Sequence, residues 1–243
     1  MTIDLITPDW SAPAGVVACS TTRRGGTSQG PYASLNLGDH VGDEAAAVAA
    51  NRERLAAVMD LPAAPSWLQQ VHGTRVRLPG DGDACGDACF ENRPDRVCAV
   101  MTADCLPVLF CNTAGTAVAA AHAGWRGLQA GVLEQTVAAF TDPPTQLLAW
   151  LGPAIGPGAF EVGDEVRAAF MAHDVRSAGC FVEHGRGHWL ADIYALARQR
   201  LQACGVGDIS GGGFCTYTEA ERFFSYRRDG ISGRMASLIW FRH

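Results

Sequence analysis

The amino-acid sequence predicts one domain that mixes helices with many short strands, of either the α/β or the α+β class. Its 243 residues lie within the range of a single large domain. Hydrophobic residues make up 48% of the chain and charged residues only 18%, so the chain can bury a sizeable core. Helical and alternating apolar patterns interleave, and no repeat, heptad run or linker divides them. We therefore treat residues 1–243 as one domain.

Three segments show the apolar period of an amphipathic helix. The first is Glu44–Met59, where apolar side chains recur at spacings of three or four and Asp43 is expected to cap the N-terminus. The second is Leu128–Phe140 and the third is Ala191–Cys204. In each segment the apolar residues fall on one face, which predicts packing against a sheet.

Short apolar or alternating runs between these segments predict strands, because most are bounded by Gly, Pro or Asp. They are Gly15–Ser20, Trp67–Val71, Arg75–Leu78, Cys98–Thr102, Val108–Cys111, Ala117–Ala121, Leu147–Leu151 and Met235–Phe241. The Gly- and Asp-rich stretch Asp81–Pro94 predicts a surface loop. Its Cys85 and Cys89 have a spacing that zinc-binding loops use, so they could hold a second metal or oxidise reversibly.

Charge and cysteine usage exclude several classes of partner. The formal net charge of −6 argues against a general nucleic-acid binder, which needs a basic surface. The N-terminal segment Met1–Pro8 is not a secretory signal, and no apolar run reaches the roughly 20 residues that cross a bilayer. Nine scattered cysteines are typical of thiols in a reducing compartment. We expect a cytoplasmic protein without nucleic-acid or membrane partners, and the sequence leaves its oligomeric state open.

Three residues that could bind a metal lie where predicted strands stop: His72, Cys105 and His122. Strand ends followed by glycine-containing turns are where α/β enzymes display reactive groups. Two imidazoles and one thiolate suit Zn²⁺ or copper, and three protein ligands leave a position for water or substrate. Their separations do not match a compact zinc finger, so the fold must bring them together. The alternative is a buried core thiol with two hydrogen-bonded histidines.

Ordered motifs along almost the whole chain resemble the YfiH/YlmD family. That family has been called multicopper polyphenol oxidoreductase (laccase) and also purine nucleoside phosphorylase/adenosine deaminase. The motifs are Ser20–Gly26, Ser34–Leu37, Gln70–Gly73, Thr102–Pro107, His122–Gly127, Gly152–Gly156 and Phe223–Arg228. The resemblance implies a sandwich-like α+β fold of mixed sheets flanked by helices, similar in topology to a toxin deamidase that uses Cys and His without metal.

The resemblance also implies a function. It places a metal, Zn²⁺ or alternatively copper, on His72, Cys105 and His122. The implied activities are phosphorolysis of adenosine, inosine and methylthioadenosine, and deamination of adenosine, so the partners are a purine nucleoside and phosphate. The chemistry is compatible, because zinc lowers the pKa of bound water to roughly 7 and so provides a hydroxide for deamination.

Further residues are candidates for catalysis and substrate binding. Asp104, next to the thiolate, could orient a ligand histidine or act as an acid/base group, or it could cap a turn. Arg227, beside Tyr226, and Arg24, next to Gly25 and Gly26, could bind phosphate or substrate, although either could form an ordinary surface ion pair. Asn36 could hydrogen-bond a ribose hydroxyl or a purine edge, or it could form a turn. Trp125 could stack on a base or close the core.

Three other functions are compatible with the same residues. Cys105 as a nucleophile with His122 as its base would make a hydrolase or amidase, for example one that edits peptidoglycan precursors. A copper polyphenol oxidase is less well supported, because the sequence has no His-x-His clusters for several coppers. A non-catalytic binding module would show no turnover at all.

Overall fold

The computed structural model describes residues 2–242. In this range the helices are α1 (Ala45–Met59), α2 (Trp125–Ala130), α3 (Val132–Ala138), α4 (Asp164–His173), α5 (Ile193–Ala203) and α6 (Tyr226–Asp229). The strands are β1 (Leu5–Ile6), β2 (Val16–Thr21), β3 (Val76–Arg77), β4 (Ala88–Glu91), β5 (Cys98–Thr102), β6 (Leu106–Asn112), β7 (Val118–Ala123), β8 (Leu147–Leu151), β9 (Glu161–Gly163), β10 (Phe181–Glu183), β11 (His188–Ala191), β12 (Asp208–Gly211) and β13 (Met235–Phe241).

Two large sheets form a sandwich. One has the strand order β1-β2-β13-β5 and is antiparallel throughout. The other has the order β12-β8-β6-β7-β4-β3; its end pairs β12–β8 and β4–β3 are parallel and its inner pairs are antiparallel. A small antiparallel sheet contains β10, β11 and β9. The fold is therefore α+β with mixed sheets, and the expected sandwich is confirmed.

The side chains of β6 show how the layers are held together. Leu109 and Cys111 face the space between the two large sheets and belong to one buried cluster with Ile239 of β13. Val108 points the other way, into the cluster that also contains apolar side chains of α3 and α5. Leu55 of α1 is buried in the cluster on the outer face of the four-stranded sheet. Alternation along the strand therefore gives each sheet one face toward the other sheet and one toward helices.

The prediction of a strand at Trp67–Val71 is wrong. The segment makes only an isolated bridge between Gln69 and Cys85. The backbone N–H of Val71 donates to the side chain of Asp87, at 3.2 Å from Oδ2. A carboxylate thus takes the place of a neighbouring strand, and the chain remains a loop.

The prediction of a surface loop at Asp81–Pro94 is wrong in its second half, which contains β4. This strand pairs with β7, with Ala88 opposite Ala121, and all its residues are buried. The polar residues on both sides hide the period of a strand of only four residues. Cys89 is buried in β4 whereas Cys85 is partly exposed.

The first predicted helix is confirmed to within one residue, but its predicted cap is wrong. α1 begins at Ala45 after Glu44, and no side chain caps it. The carboxylate of Asp43 instead accepts hydrogen bonds through Oδ2 from Ser28 Oγ at 2.6 Å and from Asn36 Nδ2 at 2.9 Å. The aspartate therefore holds a loop together and does not start the helix.

The second predicted helix is divided at Gly131, which has a φ of +105° and ends α2 before α3 begins. Glycine adopts this conformation without a steric penalty, so the break is encoded at that residue. The third prediction corresponds to α5, which begins after Asp192. The apolar pattern did not predict α4, α6 or the short strands β1, β9, β10, β11 and β12. Within residues 2–242, no helix combines the length and apolar character that crossing a bilayer requires.

Candidate metal centre

The three predicted ligands come together. Their ligating atoms, one nitrogen from each of His72 and His122 and the sulfur of Cys105, all lie within 4.8 Å of one another. Cys105 Sγ is 3.9 Å from His72 Nε2, and the two imidazole rings meet edge to face with centroids 4.8 Å apart. His122 is buried, Cys105 is partly exposed and His72 is exposed. The cluster is therefore open on the side of His72.

Strand pairing explains why residues 17 positions apart in sequence become neighbours. β6 and β7 pair with Leu106 opposite Ala123, and Pro107 opposite His122. Cys105 immediately precedes β6, at the point where the chain crosses from the four-stranded to the six-stranded sheet. This register places the thiol at the same sheet edge as the imidazole of His122 and as Gly124.

A buried aspartate that sequence patterns did not indicate connects both histidines. Asp87 Oδ1 lies 2.9 Å from His122 Nδ1 and accepts the backbone N–H of His72 at 2.9 Å. Its Oδ2 accepts the N–H groups of Val71 at 3.2 Å and Gly73 at 2.6 Å. His72 itself has a φ of +60°, a conformation that is uncommon for non-glycine residues. Asp87 thus positions one imidazole directly and the other through its backbone.

Asp87→Asn is expected to lower the zinc affinity of the protein by about 10- to 100-fold, the usual effect of removing a carboxylate that orients a metal-bound histidine. The asparagine side chain has one acceptor oxygen and one NH₂ donor, so it cannot accept all the N–H groups that the two carboxylate oxygens of Asp87 accept. Competition with a chromophoric chelator measures the affinity. Asp83→Asn is the matched control, because Asp83 pairs with Arg75 on the surface of the same segment. An unchanged affinity in Asp87→Asn would show that this carboxylate does not position the ligands.

The electrostatics of the cluster favour a thiolate. Burial alone would raise the pKa of Cys105, but His122 and His72 lower it to about 6. Burial would likewise lower the pKa of His122, but the neighbouring thiolate and Asp87 raise it to about 9. The pKa of Asp87 is lowered even though burial opposes this, because His122 and backbone N–H groups bond the charged form. Without a metal, the centre is a thiolate, an imidazolium and a carboxylate.

The residues fit a divalent cation. The thiolate and the Asp87 carboxylate carry two negative charges, which one divalent ion balances when both imidazoles are neutral. Binding through Nε2 of His122 leaves its Nδ1–H for Asp87, the arrangement that fixes histidine ligands in metal sites. Gly124 keeps the space clear, because a Cβ there would lie 2.9 Å from Cys105 Sγ and 3.0 Å from His72 Cδ2.

Two cavities open on the cluster, and His72 and Cys105 line both. The first, of about 230 Å³, has walls that include Trp125, Ile155 and Phe160. The second, of about 440 Å³, is lined by His122 and by polar groups at Gln70, His40 and Arg234. We call them the aromatic cavity and the polar cavity. Tyr226 lines both.

Asp104 and Arg227 lie in the aromatic cavity. Asp104 Oδ1 accepts from Thr216 Oγ1 at 2.6 Å, and its Oδ2 accepts the backbone N–H of Arg227 at 2.7 Å. The carboxylate that contacts a ligand histidine is therefore Asp87, while Asp104 holds the start of α6. Arg227 Nη1 donates to the carbonyl oxygen of Glu161 at 2.8 Å, which keeps its guanidinium at the cavity wall.

Neither Asn36 nor Arg24 lines either of these cavities. Asn36 is fully buried; its Nδ2 donates to Asp43 and its Oδ1 accepts from the N–H of Gly38 and of Arg234. These bonds favour the turn-forming interpretation. Arg24 is half-exposed, donates from Nε to the carbonyl of Glu221 at 2.7 Å and lines a separate surface cleft.

Sequence reasoning missed two residues of the site, Asp87 and Arg234. Asp87 lies in the stretch interpreted as a surface loop, and only its burial in the folded chain marks it as different from its neighbours. Arg234 lies between Gly233 and the last strand, outside the Phe223–Arg228 motif. The only feature of the sequence that could have drawn attention to Arg234 is a charge directly before an apolar strand. Such charges are common at protein surfaces, so this feature does not indicate a site.

The fold and the site together define an α+β sandwich protein with a His-Cys-His cluster, placed to hold a metal ion, where β6 begins and β7 ends in the mixed sheet. The family model described as multi-copper polyphenol oxidoreductase laccase matches residues 17–242. The chain belongs to this family, which confirms the resemblance found in the sequence. Within residues 2–242, His72, Cys105 and His122 are the only group of three or more such side chains placed to hold a metal ion.

Curated relatives carry a different name. Purine nucleoside phosphorylase YfiH of Escherichia coli is 63% identical over 239 residues, which is 97% of this chain and 98% of that protein. A purine nucleoside phosphorylase of Haemophilus influenzae is 51% identical over 242 residues, covering 97% of this chain and 98% of its own length.

Solved structures agree with the fold. A protein of Neisseria meningitidis has a TM-score of 0.94 and 53% identity, covering 98% of this chain and 99% of its own. YlmD of Geobacillus stearothermophilus has a TM-score of 0.87 and 34% identity, covering 95% of this chain and 93% of its own.

Proposed function

We propose that this protein is a zinc-dependent purine nucleoside phosphorylase acting on adenosine, inosine and methylthioadenosine. In the proposed reaction the bond between C1′ of the ribose and the purine nitrogen breaks, and a phosphate oxygen forms the new bond to C1′. The products are the free purine and the sugar 1-phosphate. The observation that carries the proposal is a His-Cys-His cluster, placed to hold a metal ion, whose residues line both an aromatic cavity and a polar cavity, in a chain whose relatives are named for this activity.

In the proposed complex the purine lies in the aromatic cavity. Trp125, Ile155 and Phe160 provide flat apolar walls for a base, which stacking and burial stabilise. Arg227 contacts the nucleoside from the cavity wall. Asp104 accepts the backbone N–H of Arg227 and so positions that arginine. We assign the contribution of Asp104 to the reaction to this hydrogen bond. In this arrangement Asn36 and Arg24 do not contact the nucleoside, and Asn36 instead accepts the backbone N–H of Arg234, which lines the polar cavity.

His72, Cys105 and His122 would hold the zinc ion, with copper as the alternative metal for the same donors. When bound, the ion supplies Lewis-acid stabilisation of a nearby oxygen and lowers the pKa of bound water. The same centre would support the proposed deamination of adenosine, in which water replaces the amino group at C6 and ammonia leaves.

A product assay tests the proposed function. Zinc-loaded protein is incubated with inosine or adenosine, with and without inorganic phosphate, and the products are separated by chromatography. We expect hypoxanthine or adenine together with ribose 1-phosphate, only when phosphate is present. Inosine and ammonia from adenosine report the deaminase activity. Absence of base release by protein with one zinc per chain would contradict the phosphorylase proposal.

One observation favours a second candidate, a cysteine hydrolase or amidase. A thiolate, an imidazole and a carboxylate lie next to one another in space, on Cys105, His122 and Asp87. This is the arrangement of an activated cysteine nucleophile. That enzyme would keep its activity after chelation of the metal and lose it on alkylation of Cys105. His72 favours the metal enzyme, because a cysteine nucleophile does not need a second imidazole beside it.

A further inference from the structure

The polar cavity contains an arginine that is held by neutral groups. Arg234 Nη1 donates to the carbonyl oxygens of Ser232 at 2.9 Å and Gly233 at 3.1 Å. Its backbone N–H donates to Asn36 Oδ1 at 2.9 Å. The side chain is therefore fixed in one place, facing the cavity that His72 and Cys105 also line.

The charge of Arg234 is partly removed from water. Burial lowers the pKa of Arg234 from its usual value, and the negative charges of Cys105 and Asp104 oppose that effect only in part. A divalent ion on Cys105 would neutralise the thiolate and leave the guanidinium with less compensation. A partly desolvated guanidinium bonded only to neutral oxygens is stabilised by an anion that accepts its remaining N–H groups.

The arginines of the aromatic cavity lie closer to aromatic rings than Arg234 does. Arg126 stacks on Trp125, with its guanidinium carbon 4.4 Å from the ring centroid, and Arg227 stacks on Phe160 at 5.6 Å. Arg234 also faces an aromatic ring, that of Tyr226, but at the larger distance of 5.9 Å, and two backbone carbonyl oxygens hold its Nη1. The surface of the aromatic cavity suits a planar base with its ribose better than it suits a strongly hydrated anion.

We propose that Arg234 forms the subsite for inorganic phosphate in the polar cavity, which shares His72 and Cys105 with the aromatic cavity that takes the purine. The inference rests on the proposed phosphorylase function and makes it more specific. Phosphate and nucleoside enter from the two cavities, and C1′ of the ribose lies between them beside His72 and Cys105. Arg227 then belongs to the nucleoside side of the site.

Arg234→Met is expected to raise the KM for phosphate at least about tenfold, because a charge-assisted hydrogen bond is lost, while the KM for inosine changes little. Arg234→Lys should give an intermediate KM, since it keeps the charge but not the fork of donors. Arg198→Met is the matched control, because Arg198 also donates to backbone carbonyls, of Ile209 and Gly211, but lines a different cavity. Thermal unfolding of each variant checks its folding.

Direct binding of inorganic phosphate to the zinc-loaded protein, measured by calorimetry, separates the two proposals. Phosphate binding that is weakened in Arg234→Met supports this subsite even if no nucleoside is turned over. If Arg234→Met catalyses phosphorolysis with an unchanged KM for phosphate, the proposed subsite is wrong. It is also wrong if the KM for phosphate rises in Arg227→Met and not in Arg234→Met. In both cases the phosphorylase function is still supported. Absence of phosphate binding by the wild-type protein also overturns the subsite.

Discussion

Cys105→Ser is expected to reduce zinc affinity by more than about 100-fold and to reduce base release from inosine to the background rate. Removing a carboxylate that only orients a ligand already costs about 10- to 100-fold, and a ligand contributes more than its orienting group. The serine hydroxyl stays protonated at neutral pH and cannot replace a thiolate whose pKa is lowered to about 6. Zinc per chain by atomic spectroscopy and the phosphorolysis assay measure the two effects.

Cys85→Ser is the matched control, because Cys85 is also a partly exposed thiol but lies outside the cluster. It should keep one zinc per chain and full activity. A loss of zinc in this variant would support the prediction that Cys85 and Cys89 bind a metal. Cys105→Ser protein that retains both zinc and turnover would contradict the assignment of the centre. If Cys105→Ser is inactive while the wild-type protein keeps its activity after the metal is chelated, the result would instead favour the cysteine hydrolase.

Trp150→Ala is expected to destabilise the folded protein by about 3–5 kcal/mol, the usual cost of removing a large buried aromatic side chain. Trp150 lies in β8, is 1% exposed and packs between the two large sheets. Gly152 and Gly211 make room for it, since a Cβ on either residue would come within 2.8 Å of the indole. The deletion therefore leaves a cavity that rigid strands on both sides cannot fill.

The free energy of unfolding from denaturant titration measures this effect. Tyr217→Ala is the control, because Tyr217 is 38% exposed, and its replacement should change the free energy by less than about 1 kcal/mol. A Trp150→Ala variant as stable as the wild type would contradict the packing between the sheets.

The parts of the fold that the sequence predicts are those whose pattern is local. β5, β8 and β13 have the predicted bounds, because each is a mainly apolar run of five to seven residues whose pattern is visible within the segment itself. β4 was missed, since four residues are too few to show a period. The loop before His72 was predicted wrongly for another reason: its apolar residues look like a strand, but its backbone bonds the side chain of Asp87.

The sequence by itself determined which side chains are chemically able to bind a metal, because that ability belongs to the residue type, and its ordered motifs determined the family. Only the tertiary structure decided that the three side chains meet, since the register of β6 against β7 brings Cys105 to His122 and the backbone bond to Asp87 holds His72 beside them. It likewise decided that Asp87, and not Asp104, bonds a ligand histidine. Burial and hydrogen-bond partners are properties of position in space, and neighbouring residue types do not encode them locally.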